Sequence, residues 1–144
     1  MTSTVIYEGE LRTVALHSAS GTTIETDAPI DNQGKGEKFS PTDLVATALG
    51  SCMLTIMGQK ARDLKIDLKG TRIEIQKTMK PDPRRISGIS LTFHLPADLH
   101  LTEKNITILQ RAADTCPVRY SIHPDIKVEV IYNWPSAIEK FSSY

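Results

Sequence analysis

Apolar positions along the chain change period four times, and those changes predict the elements. Weak alternation at Val5, Tyr7, Leu11 to Leu16 and Thr22 to Thr26 predicts short N-terminal strands over 5–26, with Ser18-Ala19-Ser20-Gly21 as a turn. Residues 27–39 are rich in turn formers and charge and read as a loop. Leu44, Val45, Ala48, Leu49, Cys52, Met53, Ile56 and Met57 then recur at helical spacing. They predict a helix over 41–64, opened by Ser40 as N-cap, Pro41 in the first helical position and Asp43 three residues past the cap.

Strict alternation follows. Ile73 and Ile75, the Pro81-Asp82-Pro83 turn, and Ile89, Leu91, Phe93 and Leu95 predict an antiparallel hairpin over 71–95 with one wet face. A second helix is expected over 103–116, capped by Thr102, with Ile106, Leu109, Ala112, Ala113 and Cys116 along one face and Pro117 stopping it. Ile126, Val128, Val130, Tyr132 and Trp134 close the pattern as a strand over 126–134. Strands, helix, hairpin, helix and strand in that order make an α+β protein in a single domain over 1–144.

Composition narrows the function more by exclusion than by suggestion. Seventeen basic and seventeen acidic residues cancel with no long block of either sign, which argues against a nucleic-acid binder. The stretch from Leu44 to Lys60 is too short to span a bilayer, and the first residues do not resemble an export signal. A cytoplasmic location is therefore expected, with no membrane partner. In the cytosol a cysteine pair is more often catalytic or metal-binding than a permanent structural disulfide. His17, His94, His100 and His123 are scattered and no close-spaced ligand pair occurs, so no metal site is expected.

The candidate chemistry rests on two cysteines. Cys52 lies on the first predicted helix and Cys116 at the end of the second. If those helices pack together, the sulfurs can come within bonding reach, which needs Cα atoms less than about 7 Å apart. The alternative is two inert core thiols, since a lone cysteine on an apolar helix face usually behaves as a small hydrophobe.

The run Ser40-Pro41-Thr42-Asp43-Leu44-Val45-Ala46-Thr47-Ala48-Leu49-Gly50-Ser51-Cys52, followed by a hairpin and then Cys116-Pro117-Val118, resembles the OsmC/Ohr family. In that family a helix opening on a similar motif leads to a first cysteine, and a second helix ends at Cys-Pro-Val. The resemblance covers the chain from Tyr7 to Trp134. It implies two central helices packed with antiparallel β-sheets in an intertwined homodimer. It further implies a thiol peroxidase that reduces organic hydroperoxides in the oxidative stress response, with Cys52 as peroxidatic and Cys116 as resolving thiol. The expected reductant is an external dithiol or a lipoylated protein, and no cofactor is needed.

Asp43 matches the family's acidic position. An ideal helix places it about 180° around from Cys52, so it is either a capping acid or a residue serving across a dimer. The peroxidase branches hold an arginine near the first cysteine, but residues 31–38 contain none. Arg12 and Arg119 are the remaining candidates. Met53 and Ile56 flank Cys52 as candidate substrate contacts. A second reading is a binding module without turnover, whose apolar cleft between subunits uses Met53, Ile56, Met57 and Tyr120 to hold a hydrophobic or sulfur-containing small molecule.

Overall fold

A computed structural model describes residues 1–135 and 138–139. The chain divides into two compact units, Met1–Val45 and Ala46–Tyr144.

The first unit is an antiparallel meander of β1 (Ser3–Gly9), β2 (Arg12–His17) and β3 (Thr23–Asp27). Gly9 takes a positive φ of 85° in the β1–β2 turn, a conformation open to glycine at little cost. The 27–39 segment is far from a loose loop. Asp27 N–H donates to Phe39 O at 3.1 Å, Ala28 N–H to Leu11 O at 3.0 Å and Gly36 N–H to Ala28 O at 3.1 Å. A short 3-10 turn at Ile30–Asn32 completes it.

Helix α1 (Pro41–Asp63) starts at the end of this unit and continues through the second. Its start is a reciprocal capping box. Asp43 N–H donates to Ser40 Oγ at 3.0 Å, and Ser40 N–H donates to Asp43 Oδ2 at 2.9 Å.

The second unit holds the core. β4 (Arg72–Lys80) and β5 (Arg85–His94) form the expected hairpin, and β6 (Leu101–Thr102) leads into α2 (Glu103–Asp114). After the short α3 (Pro117–Ser121) comes β7 (Lys127–Asn133), and then β8 (Ile138–Glu139). Thr102 caps α2 as its sequence position predicts, accepting Asn105 N–H at 3.1 Å. Ala46, Leu49, Met53, Met57 and Ala61 of α1 recur every three or four residues and share one buried cluster with Ile89, Leu91 and Phe93 of β5 and Leu109 and Ala113 of α2. Alternation along β5 slips once, at a bulge opposite Thr78 and Met79, which keeps both Ile86 and Ile89 inside.

Two expectations need correction. The sheet is mixed, order β4-β5-β7, because β7 runs parallel to β5, and β6 and β8 pair in parallel too. Side-chain alternation has a period of two in either direction, so it carries no information on strand polarity. The second helix also stops at Asp114, two residues short of its predicted end, and Cys116 lies outside it. The C-terminal segment beyond Glu139 is outside the described residues.

Candidate functional site

Cys116 is set by a change of helix. α2 ends at Asp114, the backbone at Cys116 turns extended (φ −67°, ψ 142°), and α3 begins at Pro117. Pro117 therefore opens a helix instead of only ending one, since its fixed φ and missing N–H suit the first position. Cys116 is the N-cap. Its Sγ accepts the backbone N–H of Arg119 at 3.3 Å, the role a serine oxygen usually plays.

Cys52 lies on α1, half-buried and packed against the core, whereas Cys116 is 0% exposed. The two thiols are neighbours and carry no bond between them. Burial pushes the Cys116 thiol above its ordinary value, and a hydrogen bond to Cys52 and the charge on Cys52 push it the same way. The N–H groups of Arg119 and Val118 pull in the opposite direction. Cys116 thus holds its proton more tightly than a free thiol, beside a half-buried partner.

Ile56, one helical turn beyond Cys52, lines a groove of about 480 Å³ between α1 and α2 together with Thr115, the residue before Cys116, while neither cysteine lines it. Lys60, Asp63 and Arg111 edge it. Met53 and Met57 lie elsewhere. Both are essentially sealed in the core at 1% and 0% exposure, so the cleft contacts expected of them are replaced by packing. Tyr120 is exposed on α3. Tyr132 meets Phe93 at a tilt (centroids 4.8 Å apart) and stacks on Trp134 (6.0 Å), and burial followed by the charge of Asp114 holds its phenol well above the ordinary value.

The remaining candidates have local partners. Asp43 is occupied by the capping box. Arg12 is clamped in the first unit. Its Nε and one terminal nitrogen donate to the two carboxylate oxygens of Asp27 at 2.7 and 2.8 Å, and Glu37 lies 3.7 Å away. Asp27 is a residue the sequence reading missed, buried at 1% exposure and also accepting Glu37 N–H at 3.1 Å. A signal existed, because the β2–β3 register sets Asp27 directly opposite Arg12. Arg119 contributes its backbone to Cys116, and its charge favours ionisation of Tyr132.

Among the described residues no three His, Cys, Asp or Glu side chains are placed to hold a metal ion, and no helix is long and apolar enough to cross a membrane.

Several known proteins share this fold. A crystal structure from Psychrobacter arcticus 273-4, of a protein provisionally described as osmotic stress induced and detoxification response protein, is 53% identical. The match covers 92% of this chain and 96% of that one at a TM-score of 0.88. The organic hydroperoxide resistance protein OsmC of Legionella pneumophila shares the fold at 17% identity and a TM-score of 0.71, over 93% and 98% of the two chains. An OsmC like protein of Mycoplasma pneumoniae does so at 15% identity and 0.75, over 91% and 94%. Among curated proteins none matches. The family model for OsmC-like proteins matches residues 34–131, which takes in the α1 motif, both cysteines and the hairpin. With that match over most of its length, the chain belongs to the OsmC family.

Proposed function

We propose that the protein is a homodimeric, cytosolic thiol peroxidase that reduces organic hydroperoxides through Cys52 and Cys116. The observation that carries this reading is the pair of neighbouring thiols, one half-exposed and one sealed. The Cys52 thiolate attacks the distal oxygen of ROOH and the O–O bond breaks. ROH leaves once its alkoxide takes up a proton, and Cys52 becomes a sulfenic acid. The sulfur of Cys116 then displaces hydroxide from Cys52, which leaves as water with the Cys116 proton and closes a disulfide. An external dithiol reduces that bond and is itself oxidised to a disulfide.

The unequal burial supports the division of labour, because an oxidant from solvent meets Cys52 first. The groove at Ile56 is where the organic part of the peroxide would lie. Relatives named for organic hydroperoxide resistance add support at the level of the fold.

Consumption of cumene hydroperoxide with a dithiol reductant tests the cycle. Cys52→Ser should abolish it, and Cys116→Ser should accumulate a dimedone-reactive sulfenic acid on Cys52. Both variants turning over like the parent would reject the assignment.

The dimer is supported by the first unit. Ten large exposed apolar side chains, among them Val5, Ile6, Tyr7, Ile24 and Phe39, fall between Met1 and Val45, a density that marks a surface meant to be covered. Light scattering should give twice the 15.9 kDa chain mass, and a monomer at micromolar concentration would count against it.

A further inference from the structure

A groove of about 780 Å³ in the second unit contains neither cysteine. It lies along the last turns of α1 and the segment that follows, and its volume falls in the range of small-molecule sites, roughly 300–1,000 Å³. Leu54, Ile66 and Leu68 supply an apolar floor, all three packed against the core. Gly58 faces the groove, and a Cβ added there would meet nothing within 4 Å, so the absent side chain leaves open space.

The wall opposite the helix is firmly built. Lys65 takes a left-handed φ of 58°, Ile66 N–H donates back to Ala61 O at 2.8 Å, and the Leu68 carbonyl accepts both the N–H and the hydroxyl of Thr71 at 3.0 and 2.7 Å. Preorganisation of this kind lowers the ordering cost of binding.

Charge indicates what would fit. Arg62, Lys65 and Lys69 edge the groove, and among the described residues none of the three is in an ion pair. The one acid, Asp67, has an oxygen engaged by Lys69 N–H at 2.9 Å. Cations in the last turn of a helix are expected to offset its dipole, which accounts for Arg62 but not for Lys69, beyond the helix end.

We propose that this groove binds an anionic amphiphile, a carboxylate on a linear saturated chain, with the chain over Leu54, Ile66 and Leu68 and the carboxylate among the three cations. The site is independent of the thiol chemistry.

Titration calorimetry of the full chain with dodecanoate below its micellar concentration tests it. Saturable binding is expected, weakened by salt, with dodecyltrimethylammonium of equal chain length binding at least about tenfold more weakly. Gly58→Leu, which fills the groove, and the double variant Arg62→Gln with Lys69→Gln should each lose about tenfold in affinity. The charge variant keeps the test intact if the filled one fails to fold. Absence of saturation, equal binding of the cationic chain, or unchanged affinity in both variants would overturn the proposal. So would a Gly58→Leu protein whose oligomeric mass changes while dodecanoate binds neither it nor the parent, since the groove would then be a contact between copies.

Discussion

Cys116 accepts the backbone N–H of Arg119 through its sulfur at 3.3 Å, so the sealed thiol is also the cap of the helix that follows it. That double duty sets a pH dependence. Burial, together with the neighbouring Cys52, raises the Cys116 thiol above its ordinary value of 9.0. A raised folded value means that the unfolded chain loses this proton first. The Cys116 contribution to stability is therefore complete below about pH 9 and is lost as pH rises through the folded value. Denaturation midpoints should fall above pH 9 in the parent, and less so in Cys116→Ala. Closure of the disulfide uses the scarce thiolate of Cys116, so its rate should climb up to about tenfold per pH unit in stopped-flow measurements between pH 7 and 9. A flat profile would mean another step limits closure.

Arg12 should behave as a structural residue of the first unit. Its hydrogen bond, before any other influence, holds the Asp27 carboxyl below the usual carboxylate range. A lowered folded value gives stability that is present above about pH 4 and is lost as pH falls through the folded value. Arg12→Gln should lower the thermal midpoint at pH 7 and flatten the acid limb of the stability curve, because it leaves a buried carboxylate without its bidentate partner. Arg12→Lys should restore the charge but only part of the stability, since an ammonium cannot make the paired contact. A variant with parent-like stability and no peroxide turnover would place Arg12 in the chemistry instead.

Asp43 separates a capping role from a catalytic one. Ser40→Ala should cost about 1 kcal/mol, read from urea midpoints, because it removes the oxygen that accepts Asp43 N–H. Asp43→Asn should cost less, because its amide oxygen can still accept Ser40 N–H without the carboxylate charge. Peroxide consumption per folded molecule should stay within about twofold of the parent. A hundredfold loss in Asp43→Asn with Ser40→Ala unaffected would overturn the capping account.

The contrast between these residues explains what the sequence could reveal. The Ser40–Asp43 box was legible because its parts lie three residues apart and depend on nothing else. Ile89, Leu91 and Phe93 were legible because one buried face imposes a period of two. The parallel run of β7 along β5 was not, since alternation is blind to direction. Asp27 was hidden for a similar reason: an acid at the edge of a turn-rich segment reads as solvated until the register puts Arg12 across from it. Cys116 shows a third failure. Proline after a helix signals a stop, but the same residue is the preferred opening of the next helix, and only the fold decides between them.

Two glycines of α1 give the sharpest test of the packing. Gly50 and Gly58 lie two turns apart on one helix, so replacing either by alanine brings the same gain in helix propensity, close to 1 kcal/mol. Their surroundings differ. A Cβ on Gly58 meets nothing within 4 Å, whereas one on Gly50 would sit 2.5 Å from the Ile75 terminal methyl and 3.3 Å from Leu91 Cδ2. Ile75 is half-buried and can turn its methyl away at some cost, but Leu91, at 1% exposure, has no room to yield. Gly58→Ala should therefore stabilise by about 0.5–1 kcal/mol, while Gly50→Ala should gain nothing and Gly50→Val should lose roughly 1–3 kcal/mol. Urea denaturation of the three variants reads all of this at once. Equal stabilisation by alanine at both positions would mean that the helix does not press against the sheet at Gly50, and the close approach of α1 to β4 and β5 would have to be abandoned.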